Sequence, residues 1–200
     1  MIPVLYIIRH GRTSYNQKGL FRGEADIPLT KEGEHDSEEA AKELEGEDPS
    51  FIVSSDKTRA EQTAHILANG SEVQTTPVLR AWNLGHFSGK PKNKENLKEL
   101  QKYIDNPELP VPDGESLQEF RDRVLPALAE AFEHATRVGT GFVVAHSSVI
   151  HEIGNQLYGD HKSLVVKPGG IVAIGIDNGE ISAERIFKPL RDHESAASVS

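Results

Sequence analysis

Two apolar runs in this 200-residue chain end in a histidine, and those histidines are where chemistry is first expected. Val4 to Ile8 leads into Arg9-His10-Gly11-Arg12-Thr13, and Phe142-Val143-Val144-Ala145 leads into His146. A histidine at a strand end is held rigidly. Its imidazole can attack phosphorus through one ring nitrogen when the other donates to a backbone carbonyl and fixes the tautomer. Arg9 supplies a planar fork that matches phosphate oxygens, and Gly11 lets the backbone turn close to a ligand. A third apolar run, Phe51-Ile52-Val53, ends in Ser54-Ser55-Asp56 just before Arg59. Taken singly, each has a plainer reading: a solvated turn for Arg-His-Gly, a helix-surface charge for Arg59, a buried neutral histidine for His146.

The elements that must position these groups follow from periodicity. The continuous apolar character of Val4–Ile8 and Phe142–Ala145 suits central strands covered on both faces. Thr30 can cap a helix running to about Leu44, and a helix from about Lys57 to Ala68 buries Ala60, Ala64 and Leu67. A third strand is expected near Val73–Leu79 and a helix from Asn93 to Ile104. Asn106 to Glu115 reads as a proline-rich surface loop. A long helix, in which Pro126 can introduce a bend, runs from Ser116 to about Thr136. Another helix follows His146 to about Tyr158, and a hairpin turns across Asn178-Gly179. Strands alternating with helices predict an α/β fold, a three-layer α/β/α sandwich with a mostly parallel central sheet. Ligands in such sheets sit beyond the carboxyl ends of central strands. Residues 1–190 are expected to form a single domain, with 191–200 as a polar tail.

Bulk properties narrow the chemistry. The absence of cysteine excludes disulfides, thiolate catalysis and Cys-based zinc sites. A formal net charge of −9 argues against broad nucleic-acid or anionic-membrane binding, so an anionic substrate would need arginines gathered in one cleft. The apolar start lacks a basic leader and runs directly into Arg9-His10, which predicts a cytoplasmic protein with no membrane span. His146 and His151, five apart, do not share the i, i+4 spacing of a helical zinc site. No metal and no cofactor are expected. The sequence leaves the oligomeric state open, with a homodimer among the options.

Together the motifs resemble the histidine phosphatase superfamily, whose members include cofactor-dependent phosphoglycerate mutases. Arg9-His10-Gly11, with Thr13 and Asn16 behind it, is similar to the signature of that family. Gly23-Glu24-Ala25-Asp26-Ile27-Pro28-Leu29-Thr30-Lys31-Glu32-Gly33 looks like its G-x-x-D-x-P-L-T-x-x-G segment. The likeness recurs at Ser54 to Ala64, at Pro112-Asp113-Gly114-Glu115-Ser116 and at Val143 to His146, in the family's order. The resemblance implies a phosphoglycerate mutase-like fold and metal-independent phosphoryl transfer. It implies that His10 takes up the phosphoryl group while Arg9, Arg59 and His146 surround it, His146 being protonated or sharing a proton. Asn16 and Gly23 would be further phosphate contacts, and Ser147 is a candidate for substrate binding. Arg22, before Gly23, is an addition from its position alone: it either meets an anionic substrate or sits in water. Trp82 and Phe87 belong either to the substrate rim or to the core.

One departure matters. The family pattern L-R-E-x-x-x-G-x-x-x-G carries a glutamate that protonates the leaving oxygen and then activates water, a contribution of ~10²–10⁴ in rate. Here that position is Ala81. Either another acid takes over, with Glu115 first and then Asp113, Glu24 and His86, or the substrate has a good leaving group that needs none. The expected function is hydrolysis of a small phosphorylated metabolite. The alternatives are a mutase-type phosphotransferase, or a phosphate-binding module with little turnover.

Overall fold

The run that ends at Arg9 forms the first strand of a six-stranded sheet, and its neighbours explain why the chemistry converges there. The structure, a computed structural model, describes residues 2–23 and 25–187. In chain order the elements are β1 (Ile2–Arg9), α1 (Ser14–Gln17), α2 (Lys31–Glu43), β2 (Phe51–Ser55), α3 (Thr58–Ala68), β3 (Gln74–Thr76), α4 (Lys94–Asp105), α5 (Leu117–Val138), β4 (Gly141–Ala145), α6 (Ser147–Tyr158), β5 (Ile171–Asp177) and β6 (Glu180–Phe187). The sheet order is β3-β2-β4-β1-β5-β6. The first four strands in that order are parallel, and β5 and β6 are antiparallel additions at one side.

Register does the positioning. Arg9 lies opposite Ala145 and Val144 lies opposite Ser54, so β1, β4 and β2 finish side by side. The residues just beyond, His10 and His146, with Ser55 closing β2, are therefore neighbours, and the His10 amide donates to the Ala145 carbonyl at 3.1 Å. Alternation along the strands divides two cores. Tyr6, Ile8, Phe142 and Val144 pack beneath α2 and α3, while Leu5, Ile7, Val143 and Ala145 pack beneath α5 and α6. The layered fold expected from the sequence is the one observed.

Helix starts follow their caps. Thr30 accepts from the Gly33 amide, Asn93 from Asn96, and Ser116 forms a capping box with Glu119. The expected third strand is shorter than its apolar run: β3 stops at Thr76 because Pro77, which has no N–H to pair, starts a 3-10 turn through Leu79. Helix α5 runs unbroken through Pro126. No helix among the described residues is long and apolar enough to cross a membrane. The expected polar tail, 191–200, lies outside the described residues.

A close backbone approach holds the β1 loop to α2. A Cβ on Gly33 would lie 2.0 Å from the Arg12 carbonyl, and one on Gly11 would lie 2.0 Å from the Gly33 carbonyl. Arg12 itself grips buried Asp36 of α2 through Nε at 2.8 Å, Nη2 at 2.9 Å and its own amide at 3.0 Å. For Gly33→Ala, ~1 kcal/mol of helix propensity is gained, but overpacking against fixed backbone costs about 3 kcal/mol. Urea unfolding of Gly33→Ala is expected to show a net loss of about 2 kcal/mol, the difference of those two terms; an unchanged midpoint would contradict the backbone contact.

Candidate active site

His10 is fully buried, and its Nδ1 lies 2.7 Å from the Gly11 carbonyl. A carbonyl only accepts, so Nδ1 carries the proton and Nε2 bears the lone pair. Nε2 is buried and meets no hydrogen-bond partner among the described residues. Three links brace the loop that holds this ring. Gly11 donates its amide to Thr63 Oγ1 at 3.1 Å, Thr63 donates to the Arg59 carbonyl at 2.9 Å, and the Gly169 amide donates to the Arg9 carbonyl at 3.0 Å.

His146 stands edge-on to His10, with ring centroids 5.2 Å apart. Arg59 Nη2 donates to its Nδ1 at 3.4 Å, so the other nitrogen holds the proton and Nε2–H donates to Ser55 Oγ at 2.9 Å. Arg59 is fully buried, and its Nη1 donates to the Ala25 carbonyl at 2.9 Å. Arg9 Nη1 donates to the Val166 carbonyl at 2.6 Å, leaving its buried Nε with no partner among the described residues. Arg22, which the sequence placed either in the site or in water, is in the site. It is 9% exposed, and its charge acts on both histidines and on the neighbouring arginines.

Burial and this shared charge set the protonation states. Desolvation, then Arg22, Arg59, His146 and Arg9, push the His10 pKa well below its ordinary value. Desolvation and the charges of Arg59, Arg22, Arg9 and Lys57 do the same to His146. Both rings are thus driven toward the neutral form in the absence of an anion, the state from which His146 would take or share a proton once a phosphate is bound. Arg9 is lowered to about 10, first by burial, and Arg22 is depressed by burial and the adjacent guanidinium groups. Desolvation, then the charges of Arg22 and Arg9, lowers Lys92 to about 8; desolvation, then Arg9, His161 and Lys92, lowers His151 on α6 to about 4. A cluster of this kind repels protons from its imidazoles and attracts anions.

The remaining candidates take varied places. Asn16 Oδ1 is committed to the Thr13 amide and hydroxyl at 3.0 and 2.9 Å, so it offers an anion only its amide nitrogen. Gly23 has φ of +49° and packs within 3.3 Å of Ser88 Cβ as measured from an added Cβ, a turn that suits glycine. Ser147 opens α6 directly after His146 and is half-buried. Glu115, the first-choice acid, is a correction. Its Oε1 accepts from the Asn83 amide at 2.8 Å and Arg123 Nη2 at 2.6 Å, and its Oε2 accepts from Arg123 Nε at 3.0 Å. Both oxygens are engaged in holding the 83–115 loop to α5, which explains the residue without any catalytic task. Asp113 is exposed in a left-handed turn, and His86 pairs with Glu99 at 3.2 Å while stacking on Phe87. Glu24 lies outside the described residues. Phe87 is core, and buried Trp82 reaches a cleft wall. Arg12 belongs to Asp36 rather than to the site. Among the described residues, no group of three His, Asp or Glu side chains could hold a metal ion.

Neutral buried histidines make a pH prediction. The unfolded chain binds protons on these rings below about 6.5 while the folded chain does not, so stability rises with pH through that range. Midpoints of thermal unfolding should fall between pH 6.5 and 5, before the depressed carboxyls of Asp56 and Glu32 contribute, and should change little just above pH 7, below the range in which Lys92 titrates. His146→Asn should flatten that fall; an identical slope in the variant would contradict a neutral His146.

Comparisons with known proteins bear on the family and the fold. The family model for the histidine phosphatase superfamily (branch 1) matches residues 5–188. A curated relative described as a probable phosphoglycerate mutase, GpmB, from Citrobacter koseri is 33% identical over 138 residues, covering 64% of this chain and 63% of the relative. The chain thus spans under two thirds of the length of the curated relatives it matches. A solved phosphoglycerate mutase from Thermus thermophilus superposes with a TM-score of 0.71 at 28% identity, over 92% of this chain and 99% of that one. The α-ribazole phosphatase of Shigella flexneri, at TM-score 0.75, 24% identity and coverage of 90% and 94%, shares the fold. With its matched span running from β1 through β6, this chain belongs to the histidine phosphatase superfamily.

Proposed function

We propose that the protein is a phosphatase that hydrolyses a small phosphorylated metabolite through a phosphohistidine on His10. The observation that carries this reading is the buried lone pair of His10 Nε2, which meets no partner among the described residues and stands among buried guanidinium groups. A buried nitrogen without a hydrogen bond is costly, and a phosphorus atom in line with it accounts for the arrangement. Nε2 forms a bond to phosphorus as the ester P–O bond breaks. The Nδ1–H bond to the Gly11 carbonyl stabilises the positive ring that results. Arg9, Arg22 and Arg59 balance the charge on the equatorial oxygens, the largest contribution in such transfers. Water then attacks the phosphohistidine and releases inorganic phosphate.

A cavity of about 320 Å³ lies at the start of α6, two residues beyond His146, and is lined by Trp82, Ile104, Phe120, Ser148, His151 and Glu152 among others; we assign it to the organic part of the substrate. That volume lies at the small end of ligand sites and supports a compact leaving group. A mutase would need to retain its phosphohistidine behind a lid, whereas the short segment between residues 90 and 115 holds only the single helix α4 and its connections. Phosphatase is therefore favoured over mutase.

The test is incubation with sugar phosphates, aryl phosphates and phosphoglycerate, measuring inorganic phosphate against isomerised ester. Phosphate release is expected, with His10→Ala reducing it by at least about 10³-fold and Arg59→Ala by about 10²–10³-fold. Isomerised product without net phosphate would favour the mutase, and phosphate binding without turnover would favour the module.

A further inference from the structure

Helix α6 turns one polar face toward the cavity that begins beside His146. Ser148, His151 and Glu152 are spaced i, i+3 and i+4, which puts them on one side of the helix, and all three line that cavity. The other walls include Trp82, Phe120, Ile104 and Leu117, which are apolar. The Trp82 indole is fixed by donating Nε1–H to the Glu115 carbonyl at 3.1 Å, so it presents a rigid ring. The charge of Arg9 acts on the His151 ring, which brings this face within electrostatic reach of the phosphate cradle.

Each polar group on the face keeps hydrogen-bonding capacity that the protein does not use. Ser148 Oγ accepts from the Trp82 amide at 3.1 Å, and its own hydrogen has no acceptor among the described residues. The His151 ring makes no hydrogen bond among the described residues. Burial, then the charge of Arg9, lowers its pKa to about 4, so at neutral pH one nitrogen donates and the other accepts. Glu152 is 1% exposed, and its Oε1 gathers Arg121 Nε, Gln156 Nε2 and Asn155 Nδ2 at 2.8, 2.9 and 3.2 Å. Its Oε2 takes no hydrogen bond among the described residues, since His161 Nδ1 is out of reach at 3.7 Å. A buried carboxylate oxygen left this way is costly, and a donor entering the cavity accounts for it.

Charge decides which donor fits. An ammonium at Oε2 would meet Arg121, already paired with that carboxylate, and Lys162 on the cavity wall. A second anionic group would meet Glu152 and Asp160. Like charges brought together are penalised either way, which leaves a neutral hydroxyl. A hydroxyl also suits His151, because it donates and accepts as that ring does. We propose that Ser148, His151 and Glu152 bind the hydroxyl groups of the leaving alcohol, and that the substrates are phosphate monoesters of neutral sugars or sugar alcohols. The C–H groups of such a molecule pack on the apolar walls while its hydroxyls meet α6. The proposal rests on the phosphatase reading and deepens it by naming the alcohol.

The test is calorimetric titration of the His10→Ala chain, which binds without turnover, with sorbitol 6-phosphate, hexyl phosphate and inorganic phosphate. The two esters share one carbon skeleton, so their Kd ratio reads the hydroxyls, and inorganic phosphate reports on the cradle. Sorbitol 6-phosphate should bind about 10–100-fold more tightly than hexyl phosphate, at ~3–10-fold for each hydroxyl that finds its partner. Adding His151→Phe should cut that preference by about tenfold, whereas His151→Gln, which keeps a donor and an acceptor, should retain most of it. Thermal unfolding shows that each variant folds. Equal or tighter binding of hexyl phosphate, binding of neither ester, or a preference unchanged by His151→Phe overturns the proposal. So does His151→Phe weakening all three ligands by one factor, the mark of a purely structural role. Phosphate release by the unsubstituted chain is measured separately: if it does not depend on His10, the phosphatase reading fails, while the Kd ratio still decides whether the cavity binds hydroxyls.

Discussion

A neutral imidazole enclosed by buried positive charge is the arrangement on which the rest of this molecule depends. Desolvation and the surrounding arginines keep a proton off His10 Nε2, and that lone pair is what a nucleophile needs. On the proposed reaction, the same charges that deprotonate the ring complement an incoming phosphoryl group, so that one cause prepares both partners. It also resolves the conflict between a chain of net charge −9 and an anionic substrate, because a local cluster dominates within a screening length of ~8–10 Å.

Mutual repulsion would scatter such a cluster if it were not held mechanically. Its members come from elements that register forces together: His10 from the end of β1, His146 from the end of β4, Arg59 from the helix after β2. Backbone carbonyls do much of the holding, with Val166 taking Arg9 and Ala25 taking Arg59. Carbonyl dipoles fix the geometry of a guanidinium without neutralising it as a carboxylate would. Arg12, one residue beyond the Arg-His-Gly tripeptide, shows the contrast: Asp36 holds it in an ion pair, and it braces the loop instead.

Much of this was legible in the sequence because strand ends and motif order are local signals. The apolar runs into His10 and His146, the α3 pattern with Arg59, and the alternation of strands and helices all led to the observed sheet. The failures were of long-range pairing. Glu115 read as a loop carboxylate because nothing local reveals that Arg123, a turn and a half into α5, claims both its oxygens. The burial of His146 and the combined field of Arg59, Arg22, Arg9 and Lys57 on it are likewise properties of the folded state. Arg22 could not be placed from spacing alone. The third strand was drawn through Pro77 although proline was a visible stop signal.

The hub at Arg123 has a consequence for how such an enzyme can diversify. Its guanidinium gathers the carbonyls of Val78, Arg80 and Ala81 along with the Glu115 carboxylate, so both flanks of the excursion between them are tied to α5. Further pins hold the excursion at Lys90, whose carbonyl takes the Phe21 amide, and at Pro112, whose carbonyl takes the His86 amide. The stretch between those pins contains α4, whose Gln101 and Ile104 line the cavity beside Trp82. On the proposed function, exchanges at those lining positions would reshape what the cavity admits while the pins keep the reacting groups in register, which makes acceptance of new substrates a trait separable from bond cleavage itself.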